Sequence, residues 1–172
     1  MAAARALTTL EILDRYGSLG PDFLTWLAVH AGEEGFAGTP SEPGLMVTVL
    51  GPMVFQSDTG EATKMSLAGD EAASAPEVLA ALRAGKRLTR AKLQLNAQDA
   101  EWVLTLDGET FDFRGLKLPV PKVADLDEYL SLRIQATQHL DLLIRELFEK
   151  FLAVRLDPAA WKDEAKSWSK GR

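Results

Sequence analysis

Three short runs between Leu88 and Arg114 alternate apolar and polar residues with a period of two. In the first, Thr89, Ala91, Leu93 and Leu95 oppose Arg90, Lys92 and Gln94. In the second, Trp102, Leu104 and Leu106 oppose Glu101, Val103 and Thr105; in the third, Phe111 and Phe113 oppose Thr110, Asp112 and Arg114. Period-two alternation is the mark of a half-buried strand, so the stretch predicts an antiparallel meander with one apolar face. Asp107-Gly108 is a preferred two-residue hairpin turn and predicts a tight connection between the last two strands. Gly115 and the prolines Pro119 and Pro121 end the run.

The pattern then changes to helical. From Asp125 to Val154 the apolar residues fall into two stripes. One is Leu130, Ile134, Thr137, Ile144, Phe148 and Phe151; the other is Leu132, Ala136, Leu140, Leu143 and Leu147. A surface helix normally carries a single apolar stripe. Two stripes predict neighbours on two sides: the chain's own sheet, and either another helix of the chain or a second subunit. Leu132, Leu140, Leu143 and Leu147 exceed what one sheet face can cover and are the expected oligomer interface. Asp125 with Glu128 has capping-box spacing at the start of the helix. Asp141–Arg145 and Glu146–Lys150 are acid-before-base pairs at i, i+4.

Weaker signals fill in the rest. Leu7, Leu10, Leu13 and Tyr16 predict a helix over residues 4–16. Pro21 suits the first position of a second helix carrying Phe23, Trp26, Leu27 and His30. Residues 32–44, rich in glycine and proline, read as a loop. Leu45–Phe55 reads as a strand with a bulge, an edge or a turn near Gly51-Pro52, and Glu61–Leu67 as another. Val78, Leu79 and Leu82 define a short helix that Gly85 closes, with Ser74 and Glu77 at capping-box spacing. Asp157-Pro158 opens a last helix with Trp161 and Trp168, followed by the basic residues Lys166, Lys170 and Arg172. The predicted fold is α+β: an antiparallel sheet of about five strands packed by one long C-terminal helix, with the N-terminal helices at one end. Residues 1–156 form the domain, and 157–172 a short helix and basic tail.

Composition narrows the function. The 172 residues are 47 % hydrophobic and 26 % charged, the balance of a globular domain. There is no cysteine, which excludes disulfides, thiolate metal sites and cysteine nucleophiles and fits a cytoplasmic setting. No apolar run approaches the roughly 20 residues that span a bilayer, and no secretory signal is expected. The two histidines, His30 and His139, lack metal-site spacing and read as semi-buried helix residues. Gly32, Gly35 and Gly38 follow no strand and make no dinucleotide fingerprint. Lys64 and Ser66 lack phosphate-loop spacing, and no serine sits in a nucleophile elbow. The expectation is a protein that is not an enzyme and carries no metal or other cofactor.

One cluster points elsewhere. Arg83, Lys86, Arg87, Arg90 and Lys92 fall within ten residues that contain no acid, in a chain of net charge −6. They are the candidate phosphate-contacting residues. The competing reading is structural: cations are favoured at a helix C-terminus, and Arg90 and Lys92 could pair with Glu101 and Asp112 on neighbouring strands. The tryptophans and phenylalanines fall at core spacing, so they read as packing rather than as platforms for bases.

Several stretches resemble a known family. Asp22-Phe23-Leu24-Thr25-Trp26-Leu27, Lys64-Met65-Ser66-Leu67, the run from Ser74 through Ala80-Ala81-Leu82-Arg83-Ala84-Gly85-Lys86, and the run from Glu101-Trp102 to Gly115-Leu116-Lys117-Leu118-Pro119 are similar, in order and spacing, to the C-terminal half of the recombination-associated protein RdgC family. The resemblance covers about residues 20–155 and is to its shorter, divergent members. It implies a nucleoid-associated, non-enzymatic protein that binds double-stranded DNA without sequence preference and acts as an oligomer. The alternative from a different class is a protein–protein interaction or scaffold module that keeps the fold without binding DNA.

Overall fold

The computed structural model describes residues 19–31, 33, 35–57, 64–69 and 76–170. In chain order these form α1 (Leu19–His30), β1 (Met46–Gln56), β2 (Lys64–Leu67), α2 (Pro76–Arg83), β3 (Arg87–Ala97), β4 (Ala100–Asp107), β5 (Phe113–Lys117), α3 (Leu126–Arg155) and α4 (Pro158–Lys170). The strands make one five-stranded antiparallel sheet in the order β2-β1-β3-β4-β5, and the helices gather on one of its faces. The class is α+β, with the expected strand number and the expected long C-terminal helix. The helix read over residues 4–16, the start of the strand at 61–63 and the Ser74 cap lie outside the described residues.

Alternation in the sequence becomes alternation in burial. Val47, Val49, Met53 and Phe55 of β1, Ala91, Leu93 and Leu95 of β3, and Trp102, Leu104 and Leu106 of β4 are all buried on the helix side. Onto them pack Phe23, Leu24, Trp26 and Leu27 of α1 and Leu140, Leu143, Ile144, Leu147 and Phe151 of α3. Each such side chain removed from water stabilises the fold by about 1.5–3 kcal/mol. The expectation that Leu140, Leu143 and Leu147 face a second subunit is therefore corrected. All three are fully buried within the chain itself, because α1 and the sheet together cover a wide arc of α3; Leu132 is half-buried.

β1 is continuous, with register shifts between Leu50 and Phe55 where a bulge was expected, and with Pro52 in a cis peptide bond on its exposed side. The Asp107-Gly108 turn is not the tight hairpin expected. Gly108–Asp112 form a longer connection. Asp107 accepts from the backbone N–H groups of Glu109 (3.1 Å) and Thr110 (3.4 Å), while Gly108 N–H donates to Thr89 O at 2.8 Å. Phe111, at φ 58°, stays partly in solvent but lays its ring against those of Phe23 and Phe148. Gly108 also lies so close to Gly20 that a Cβ on Gly20 would fall 1.7 Å from the Gly108 carbonyl oxygen. Tertiary contact with α1 thus overrides the local turn preference. The tight turn is instead at Gln98-Asp99, between the paired Ala97 and Ala100.

α4 is held by charge and aromatic contact. The buried Asp22 carboxylate accepts from Arg87 Nε (2.9 Å) and Arg155 Nε (3.1 Å). The Arg87 guanidinium lies 5.2 Å from the Trp168 ring centre and that of Arg155 4.6 Å from Trp161. His30 bridges Glu33 (3.0 Å) and Glu164 (2.8 Å), and Glu164 also accepts from Trp168 Nε1. Burial pushes the Glu164 carboxyl up, but the bonds from His30 and Trp168 outweigh it and leave the group below the usual carboxylate range.

Candidate nucleic-acid interface

The second face of the sheet has no helix on it among the described residues, and its side chains are half-exposed or exposed, apart from the buried Asp107. Residues directly opposite on paired strands share a face, so the register maps this surface. Leu50, Lys92 and Thr105 lie in one row, and Thr105 pairs onward with Arg114. The next row is Thr48, Gln94, Val103 and Lys117. On the other side, Ser66, Val54, Arg90 and Asp107 form a row, with Lys64 opposite Gln56 beyond it. Among the described strand residues, Lys64, Arg90, Lys92, Arg114 and Lys117 thus meet two carboxylates, Glu101 and Asp107, on this face.

Both carboxylates are already engaged. Asp107 holds Arg90 through Nη2 at 2.6 Å and Nε at 3.1 Å. Its burial raises the carboxyl pKa, but the Arg90 bonds and the N–H groups of Glu109 and Thr110 prevail and lower it. Glu101 takes Lys117 Nζ at 3.0 Å and Gln94 Nε2 at 2.8 Å. Lys64, Lys92 and Arg114 make no ion pair among the described residues. The surface is positive in a chain that is acidic as a whole. It carries no aromatic side chain among these rows, so it offers charge and hydrogen bonding rather than stacking.

The five residues of the basic run do not form one ridge. Arg83 ends α2 and Lys86 follows it, while Arg87 turns to the helix side and is tied to Asp22 and Trp168. Only Arg90 and Lys92 lie on the open face. The structural reading of Arg90 holds in kind, although its partner is Asp107 rather than Glu101 or Asp112. Sequence reasoning missed Lys64, Arg114 and Lys117. They stand at polar positions of strands, but only the cross-strand register shows that Arg114 shares a row with Lys92, that Lys117 lies in the next row, and that Lys64 lies on the same face at the far end of β1.

The other candidate surface is the first half of α3. Leu126, Leu130 and Ile134 recur every four residues and are 67 %, 47 % and 58 % exposed. No helix among the described residues is long and apolar enough to cross a membrane. Neither the protein-family models nor the curated proteins compared with this chain match it.

Proposed function

We propose that this chain is a non-enzymatic, cytoplasmic DNA-binding protein whose contact surface is the open face of the sheet. The carrying observation is that Lys64, Lys92 and Arg114, without ion pairs among the described residues, share the open face of the sheet with Arg90 and Lys117 in an acidic protein. Phosphate contacts of this kind neutralise backbone charge and carry no base readout, so binding is independent of sequence and falls with salt. The resemblance to the RdgC family points the same way, toward double-stranded DNA at the nucleoid. This reading moves the contact from the Arg83–Lys92 run to the sheet face, with Arg90 and Lys92 common to both.

The test is a titration of a DNA duplex against the protein at several salt concentrations. If Lys64, Lys92 and Arg114 each reach a phosphate, they contribute about −2.7 to the slope of log affinity against log salt, from roughly −0.9 per contact. The Lys92→Ala/Arg114→Ala double variant is expected to reduce the slope by about two and to weaken all sequences alike. Lys86→Ala is expected to leave it unchanged. No binding at low salt would eliminate the reading.

A second reading has its own support. The bare aliphatic stripe Leu126, Leu130 and Ile134 favours a protein–protein interaction module, or self-association of the chain through that half of α3. Light scattering separates these: Ile134→Asp lowers the mass if the stripe joins two copies.

A further inference from the structure

One row of the open face sets an uncharged hydroxyl between two cations. Lys92 of β3, Thr105 of β4 and Arg114 of β5 stand opposite one another across two strand pairs. Facing residues on paired strands have Cβ atoms about 4.5–5.5 Å apart, so Lys92 and Arg114 stand about 10 Å apart with Thr105 midway. Arg114 is exposed, and Lys92 and Thr105 are half-exposed. None of the three side chains makes a hydrogen bond or an ion pair among the described residues. Leu50 closes the row at the β1 end.

Other polar groups of the face are placed differently. Gln94 is committed to Glu101, to which its Nε2 donates at 2.8 Å. Thr48 lies opposite Gln94, in a row whose one cation, Lys117, is three strands away and tied to Glu101. Ser66 lies opposite Val54, and the Arg90 beyond it is held by Asp107. Asp107 is also the carboxylate two residues along β4 from Thr105. It is occupied by Arg90 and by the N–H groups of Glu109 and Thr110, so it does not draw on the Thr105 hydroxyl. A threonine side chain is stiff about χ1, so its hydroxyl donates along few directions, whereas the long lysine and arginine stems reach an anion from many.

We infer that Thr105 is the hydrogen-bonding anchor of the phosphate backbone on this face. Its hydroxyl donates to a phosphate oxygen, while Lys92 and Arg114 neutralise backbone charge on either side of it. The inference rests on the reading of the open face as the DNA contact and adds to it a residue that carries no charge. Threonine is among the side chains that fix register on a duplex through phosphate contacts. The two kinds of contact leave different marks. A cation that reaches a phosphate releases counterions, so its loss changes both the affinity and its salt dependence. A hydroxyl releases none, so its loss lowers the affinity and leaves the salt slope as it was.

The experiment is the titration of a DNA duplex at several salt concentrations with the parent, Thr105→Val, Thr105→Ser and Thr48→Val. Valine keeps the shape and the β-branching of threonine and deletes the hydroxyl; serine keeps the hydroxyl. Thr105→Val is expected to weaken binding about tenfold at every salt concentration, the loss of one hydrogen bond to a charged group, with the parent's slope. Thr105→Ser is expected to restore most of that loss, and Thr48→Val to bind as the parent does. Unfolding midpoints equal to the parent's separate a lost contact from a lost fold, and Thr105→Ala carries the same test if valine disturbs the sheet. The inference is overturned if Thr105→Val binds as well as the parent, if Thr48→Val loses as much, or if the slope falls with the hydroxyl. A parent that binds DNA alongside an unaffected Thr105→Val overturns the inference alone. A parent that binds no DNA at low salt overturns the reading of the face and the inference together.

Discussion

The two halves of α3 have the same kind of sequence and opposite surroundings. From Leu140 to Phe151 the helix is pressed between α1 and the sheet, and Leu140, Leu143, Leu147 and Phe151 are fully buried. From Leu126 to Ile134 the apolar residues recur at the same spacing and stand mostly in solvent. Periodicity therefore says which residues share a face, while the extent of the neighbouring sheet decides which of them are covered. The boundary falls near Ala136, whose carbonyl accepts from Trp102 Nε1 at 3.1 Å, beside His139. Trp102 lies near the beginning of β4, and the first turns of α3 are the ones left bare.

The contrast can be broken most sharply by one charge in the buried half. Leu143→Asp puts an unpaired carboxylate into the core, and the protein is expected to be unfolded by circular dichroism at neutral pH. Even Leu143→Ala is expected to cost about 2–5 kcal/mol in urea unfolding. Trp102→Phe removes the bond at the boundary and part of a buried ring, and is expected to cost about 1–2 kcal/mol. A cost near zero would show that the boundary is set elsewhere.

The third outcome concerns pH. The Ser41 hydroxyl bond, opposed by desolvation and aided by Thr39 and the Ser41 N–H, holds the half-buried Glu146 carboxyl below its ordinary value. A carboxylate with a lowered folded-state pKa stabilises above its unfolded value and loses that contribution as pH falls through the lowered one. Attachment of the Ser41 loop to the buried half of α3 is thus expected to weaken on acidification. After correction for intrinsic exchange, the Ser41 amide should lose protection there, and Glu146→Gln should remove most of the pH dependence. The smallest effect is expected in the bare half, where Ile134→Ser should change stability by no more than about 0.5 kcal/mol. A larger loss would mean that the stripe is covered in solution.

Much of this architecture was legible in advance. The alternation of Leu88–Leu95 and Trp102–Leu106 marks two strands and their buried faces, and Asp125 marks the start of α3, where its carboxylate accepts from Glu128 N–H at 2.8 Å. The failures have a common cause in tertiary partners that lie far along the chain. Asp107-Gly108 has the chemistry of a tight turn, but the approach of Gly20 and the contact of Phe111 with Phe23 select a longer one. Glu146 and Lys150 have the spacing of a helical ion pair, yet they reach the loop at Phe36–Ser41 instead. For the candidate site, the sequence showed positive charge near Lys92 but not its division. Arg87 is drawn to a carboxylate 65 residues away, while the other cations of the open face come from β2 and β5.

The Asp22 carboxylate has a consequence for the order in which the chain can finish folding. The sheet pairs β1 with β3 and β3 with β4, contacts that become available while the chain is still being made. Asp22 needs Arg155, which is 133 residues later. At about 5–20 residues per second, a ribosome delivers that arginine roughly 7–27 seconds after the aspartate. During that interval Asp22 has at most one of its two arginines. The late delivery makes the Asp22–Arg155 tie, and the docking of α4 that follows it in the chain, the last of these contacts that can form.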